Sequence, residues 1–404
     1  MTASADLAAL WPLDPAVTFL NHGSYGACPK AVLEHQAALR AELEAEPVLF
    51  LGRKLDERLD AARAKLGAFV GADPDDLAFV TNATGGVNAV LRSLAFSPGD
   101  ELLTTDHCYG ACKNTLDYVA GRAGVKVNAA VVPFPLTSPD EVVAAVMAKV
   151  TPKTRLALLD HITSPTALIL PIARLVSELD ARGIDTVVDG AHGPGMVPLD
   201  LNTLGAAYYT GNCHKWLCTP KGSAFLHVRR DRQAAIHPLT ISHGHVGERE
   251  GRTRFRLEFD WMGTSDPTAW LTVPMAIDYL GSLMPGGWPA LMTRNRALAL
   301  EARALLCATV GSKPVCPDEM IGSIASVALP DSPLTNPKWR QPEPLQPRLF
   351  GEWGIEVPVM RWPAAPKRLV RVSCQLYNQR AQYARLADAL RKELAAEPPP
   401  SPSR

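Results

Sequence analysis

Two short polar clusters in this chain carry residue types that together suit a particular chemistry. DTVVDGAHGPG ends the apolar pair Val187-Val188 in Asp189, with His192 three residues on. TGNCHKW, 26 residues beyond the acid (215 − 189), brings Asn212, His214 and Lys215 in front of Trp216. A lysine amine condenses with an aldehyde, and a carboxylate beside a pyridine nitrogen keeps that nitrogen protonated. Those are the two demands of pyridoxal phosphate (PLP), whose ring draws electrons only while its nitrogen carries a proton. Taken one at a time, the commoner readings are a helix N-cap for Asp189 and a solvated surface charge for Lys215. A third feature is the turn Ala83 to Gly86, between an apolar run and a helical pattern. There free backbone N–H groups and the positive end of a helix suit a phosphate, with Thr84 and Gly85 placed to hold it.

The elements that must position these residues follow from periodicity. Apolar residues at helical spacing predict helices over 31–46 and 55–70. Short apolar runs then alternate with helical stretches: strands at 77–80, 101–105, 127–133, 155–162, 185–192 and 222–228, and helices over 86–94, 111–122, 139–150 and 171–182. Strands joined by crossover helices imply a mostly parallel sheet covered on both faces, with ligands at the carboxyl ends of its strands. After Trp288 a helix (290–310), strands near 324–329, 355–359 and 368–373 and a last helix (381–395) predict a smaller α+β domain. The stretch DSPLTNPKWRQPEPLQP reads as an extended surface loop, and the tail EPPPSPSR as disordered.

A chain of 404 residues exceeds one ordinary core, so more than one domain is expected. Lys plus Arg (41) balances Asp plus Glu (41), which gives no electrostatic footprint for a nucleic-acid or membrane partner. The eight Cys are scattered and never spaced C-x-x-C, so reduced thiols are expected rather than a disulfide framework or a zinc site. No apolar run is long enough to cross a membrane, and the N-terminus has no leader pattern, so a cytoplasmic location is expected. Many of the 35 Pro crowd into the last third, at 330–366 and 398–402.

The ordered series FLNHGSYGACPKAV, AEPVLFL, TNATGGVNAVL, SPTALILP, DGAHGPG…TGNCHKWLCTPKG and VRVSCQLYN resembles the class V, fold-type I PLP enzymes. Within that family it is most similar to the isopenicillin N epimerase-like branch. The resemblance implies an α/β fold with a large, mostly parallel seven-stranded-type sheet domain and a smaller α+β C-terminal domain. It divides the chain into an N-terminal substrate-side segment (1–30), a PLP-binding domain (31–285), a small domain (286–395) and a tail (396–404). It implies Lys215 as the Schiff-base lysine and proton carrier, Asp189 as the partner of the ring nitrogen and His192 near the phenolic oxygen. Tyr109 is implied as the ring-stacking residue, with His107 as the alternative register. Asn212 and His214 are implied near the phosphate, and Gly263 and Thr264 as reaching the phosphate of the neighbouring subunit in a homodimer with shared sites. Arg371 is implied to grip the carboxylate of a small amino-acid substrate, with Asn21 and His22 at the mouth of the site; the epimerase has Thr where His22 stands.

Three reactions fit the resemblance: epimerisation at Cα, C–S lysis by β-elimination, and transamination. A catalytically silent PLP-binding relative is the non-enzymatic alternative. Epimerisation needs a second proton carrier opposite Lys215, for which His22, His107 and Tyr25 are candidates. Desulfurase-type persulfide chemistry is disfavoured because no Cys occurs from Pro317 to Ser373. The loop 240–256, with two His and four Arg, reads equally as a selector of acidic or large substrates and as a solvated loop. The Pro-rich 330–366 stretch, just before Arg371, is the expected seat of substrate selectivity.

Overall fold

Seven strands form the centre of the molecule. They are β1 (Leu77–Val80), β2 (Glu101–Thr105), β3 (Lys126–Ala130), β4 (Thr154–Asp160), β5 (Asp185–Asp189), β6 (Tyr208–Asn212) and β7 (Ala224–Val228), in the spatial order β1-β7-β6-β5-β4-β2-β3. β7 runs antiparallel to both its neighbours and the other pairings are parallel. The computed structural model describes residues 7–398. Along β4, Ala157 and Leu159 join one apolar core while Leu156 and Leu158 join another, as the two-residue period of a strand requires. The first core takes Leu59 and Leu66 of helix Leu55–Val70, Val142 and Val146 of Pro139–Met147, and Leu175 and Leu179 of Ile172–Asp180. The second takes Val87, Val90, Cys112 and Leu116 from helices Ala83–Ser93 and Gly110–Ala123, with Phe255 and Phe259.

Strand β6 escapes the periodicity reading because YYTGN breaks its apolar run with Thr210 and Gly211. It is a strand because β5 and β7 flank it: Thr210 Oγ1 donates to Phe225 O at 2.9 Å, and a Cβ on Gly211 would lie 2.7 Å from the Phe225 ring.

The smaller sheet has the order β9 (Val359–Arg361), β10 (Arg368–Ser373), β8 (Ile324–Leu329), all antiparallel. Helices Gly287–Val310 and Arg380–Ala396 belong to the same part of the chain. The N-terminal segment is tied to it, since Thr18–Phe19 pairs with Ile355–Glu356 and Ser373 N donates to Leu20 O. The Pro-rich stretch is less irregular than its composition predicts: Leu345–Trp353 is helical, with Pro344 as N-cap, Pro347 inside the first turn, and Leu345 and Leu349 buried. It is also anchored, for Glu343 is buried against Arg368, whose guanidinium also pairs with Glu397. The final helix runs through Ala396, so the expected tail starts later than 396, and 399–404 lie outside the described residues. Among the described residues no helix is long and apolar enough to cross a membrane, and all eight cysteines are free thiols.

Candidate active site

A cavity of about 520 Å³ opens at the carboxyl ends of the central strands. β4 and β5 each end there in an acid, and the register pairs Asp160 with Asp189, so both carboxyls project from the same face of adjacent strands. Asp189 accepts hydrogen bonds from Ala191 N (3.0 Å) and Cys112 Sγ (3.1 Å). Asp160, which the sequence reading missed, accepts one from Tyr109 N at 3.2 Å, while its Oδ2 is buried with no protein partner among the described residues. Burial first, and the Asp189 charge next, hold the Asp160 carboxyl well above the usual carboxylate range. The signal available in sequence was a second acid at a strand end, LLD in 158–160.

Lys215 follows β6 on a tight turn and stands half-buried in the cavity wall, its Nζ 3.2 Å from His192 Nε2. Burial of the amine and the nearby Arg371 charge bring its pKa down to about 8, against the opposing pull of Asp189. His192 is buried, and burial followed by the Lys215 charge depresses its pKa well below the ordinary value. His214 also lines the cavity and donates Nδ1–H to Ser223 O at 2.9 Å. Burial lowers its pKa to about 4. Helix Ala83–Ser93 begins at the cavity floor: Asn82 caps it by accepting Gly85 N–H at 2.8 Å, and Asn212 Oδ1 accepts Ala83 N–H at 2.8 Å. Thr84 therefore lines the cavity, whereas Gly85 faces the adjoining one.

Tyr109 lines the cavity, 42 % exposed at the start of helix Gly110–Ala123. His107 does not: it is buried against Trp362 (ring centroids 4.3 Å) and Phe134, and bonds Thr166. Asn21 and His22 are also not at the mouth. Asn21 donates to Glu356 at 2.9 Å, and His22 is buried with its two nitrogens on Tyr377 Oη (2.8 Å) and Lys215 O (2.9 Å). A short helical turn, His22–Tyr25, carries Ser24 and Tyr25 to the cavity instead. Gly263 and Thr264 line a second cavity, which shares Thr81, Lys221 and Gly222 with the first. The four arginines of 240–256 are paired within the chain: Arg249 on Asp56 at the surface, Arg252 and Arg256 on Asp60 and Asp260, and Arg254 on the carbonyls of Gly244, His245 and Gly247. No residue of 330–366 lines the first cavity.

Arg371 lies directly behind Ser24 and Ser164. Its guanidinium donates to Ser164 O (2.6 Å), Ser164 Oγ (3.1 Å) and Ser24 Oγ (3.1 Å), and Nε is buried without a partner. Among the described residues it forms no ion pair, and burial, against a smaller opposing effect of Tyr109, pulls its pKa down to about 10. An unpaired buried cation is costly, and an incoming carboxylate removes that cost.

Gly26 presses the N-terminal segment onto the lysine turn. With φ of 74°, it would place a Cβ 1.9 Å from His214 O. Gly26→Ala is expected to cost about 2–4 kcal/mol, from the left-handed backbone and the clash together. Urea unfolding measures the loss, and unchanged stability would mean this approach is looser than described.

The raised pKa of Asp160 makes a prediction with a definite sign. Its folded pKa is raised, so the unfolded chain gives up the proton first, and this group erodes stability as pH rises above about 4. Asp160→Asn removes that slope, by up to about 1.4 kcal/mol for each pH unit crossed. The apo variant should thus gain stability over the wild type at pH 7 relative to pH 4.5; an equal difference at both pH values would argue that Asp160 is ionised.

A seven-stranded sheet with one antiparallel strand, ending in an acid, a lysine turn and a helix N-terminus around one cavity, is the arrangement of a PLP-type enzyme. The residues present fit that cofactor: an amine for its aldehyde, a carboxylate for its ring nitrogen, a helix start for its phosphate, and an orphaned buried Asp160 oxygen still seeking a partner. The family model "Aminotransferase class-V" matches residues 27–317, and the chain belongs to that family. It is 39 % identical to the isopenicillin N epimerase of Amycolatopsis lactamdurans, over 98 % of this chain and 99 % of that one. It is 32 % identical to a putative L-cysteine desulfhydrase 1 of Oryza sativa subsp. japonica, over 95 % of this chain and 84 % of the other. A solved structure of a C-DES mutant, with glycine covalently linked to its PLP cofactor, shares the fold with a TM-score of 0.79 at 22 % identity, covering 95 % and 98 % of the two chains.

Proposed function

We propose that this protein is a PLP-dependent epimerase acting at the Cα of an amino-acid substrate, like the isopenicillin N epimerases it resembles. The observation that carries the substrate class is Arg371, a buried guanidinium with no acidic partner among the described residues, placed behind the wall of a cavity that holds Lys215. When bound, the cofactor supplies a protonated ring that accepts the electron pair released at Cα. Lys215 Nζ anchors it and carries the α-proton, while Asp189 pairs with the ring nitrogen. His192 Nε2 faces Lys215 from one side, and Tyr109 offers a ring face that fixes the tilt of the bound ring. Thr84, with Asn212 and His214, bounds the phosphate end. Ser24 and Ser164 orient Arg371 so that its planar fork meets a carboxylate with two parallel bonds. Of the three groups considered for proton delivery on the opposite face, Tyr25 alone lines the cavity, and we assign it that role.

The enzyme is further proposed to be a cytoplasmic homodimer in which Gly263 and Thr264 complete the neighbouring subunit's phosphate site, with the divisions at residues 30 and 285 as read from sequence. C–S lysis is the second reading, favoured by the similarity to the desulfhydrase. Incubating holoenzyme with amino acids in deuterated water distinguishes them by NMR. Deuterium at Cα with the amine retained and configuration inverted supports epimerisation. Pyruvate with ammonia replaces it by lysis, and conversion of the cofactor to its amine form by transamination.

A further inference from the structure

His192 is the middle of a hydrogen-bonded chain of three side chains. The indole Nε1 of Trp216 lies 3.2 Å from His192 Nδ1, and His192 Nε2 lies 3.2 Å from Lys215 Nζ. Trp216 and His192 are buried. An indole nitrogen only donates, so Nδ1 must accept and carry no proton. The neutral ring then has its single proton on Nε2, aimed at Lys215. A donor in that position needs a lone pair on Nζ, which an ammonium lacks. Protonating His192 would instead set an Nδ1–H against the indole N–H.

We infer that Trp216 is a positioning residue: it fixes His192 as the Nε2–H tautomer and thereby disfavours the ammonium form of Lys215, so that more of the free amine is there to load the cofactor. The inference rests on the PLP reading and deepens it. In the loading step the Nζ lone pair attacks the aldehyde carbon, a carbon–nitrogen double bond forms, and the carbonyl oxygen leaves as water with the two amine protons. Trp216 is itself firmly seated. The His22 ring packs on its indole at 4.7 Å between centroids, and Gly195 approaches so closely that a Cβ would sit 2.6 Å from Trp216 O. Other groups that face the pair are Arg371, Asp189, Asp160, Cys112, His22 and His214. None of them hydrogen-bonds Nδ1 of His192; the His22 ring, which packs on the indole, is the one of them that a change at Trp216 disturbs.

Two measurements test this. Nitrogen-15 NMR of the imidazoles in apo wild type should show His192 protonated at Nε2 and bare at Nδ1 near neutral pH. The opposite tautomer, or an imidazolium, overturns the inference, whether or not any variant folds. Stopped-flow absorbance should show PLP loading of the apoprotein rising with pH through a midpoint near 8, the value that burial and Arg371 set for Lys215. In Trp216→Phe, His192 is free to accept from a Lys215 ammonium. The midpoint should then move up by about one unit, slowing loading roughly tenfold at pH 7. A folded Trp216→Phe protein with the wild-type profile overturns the inference. A wild type that takes up no PLP at any pH sinks the cofactor reading instead, and the NMR result still decides the tautomer.

Discussion

Lys215→Ala is expected to remove the visible absorbance of lysine-bound cofactor and to lower turnover by roughly 10⁴-fold or more, since one side chain serves as covalent anchor and as proton carrier. The fold should survive the change, and the reason is electrostatic. The folded-state pKa of Lys215 is about 8, below that of an exposed lysine. Folding therefore carries a penalty from this group below pH 8 that fades as pH rises toward about 10.4. The alanine variant lacks that penalty, so its apoprotein should be at least as stable as apo wild type at pH 7, with the advantage shrinking toward pH 10. A variant that is simply unfolded, or one that keeps both absorbance and turnover, would contradict the assignment. Absorbance, circular dichroism and urea titration at two pH values separate these outcomes.

Arg371→Ala is expected to weaken amino-acid binding by about 2–4 kcal/mol, near a hundredfold in the dissociation constant, because a buried charge-assisted pair loses one member. Arg371→Lys should not restore it fully, since an ammonium lacks the planar fork that takes a carboxylate with two bonds. A second effect separates this role from a merely structural one. The Arg371 charge helps to depress the pKa of Lys215, so its removal should shift PLP loading of the apoprotein to higher pH. Titration of the cofactor spectrum with amino acid reads the first effect, and the loading profile reads the second. Unchanged affinity would remove Arg371 from the substrate site and leave the carboxylate to another donor.

Much of this was legible in the chain itself. Local patterns placed β1, β2, β8 and β10 at the residues where they lie, because each is a short apolar run bounded by turn residues, and burial on both faces leaves that mark in sequence. Asp189, His192 and Lys215 stood out because their types and order answer one cofactor's demands. Strand β6 did not, since its burial comes from neighbours on either side and not from its own composition. The helix Leu345–Trp353 was hidden by prolines that a first helical turn tolerates.

What sequence determined about this protein is most of its elements and the identity of its lysine, acid and histidine, for these follow from residues near one another along the chain. Tertiary structure alone decided which groups line the cavity or back its wall. Asp160 gained its place by lying one strand from Asp189, and Trp216 by lying against the far nitrogen of His192. His22, His107 and the Pro-rich stretch lost theirs, because packing turned them behind the wall. Burial and proximity set the protonation of these groups, and both depend on contacts between segments far apart in the chain.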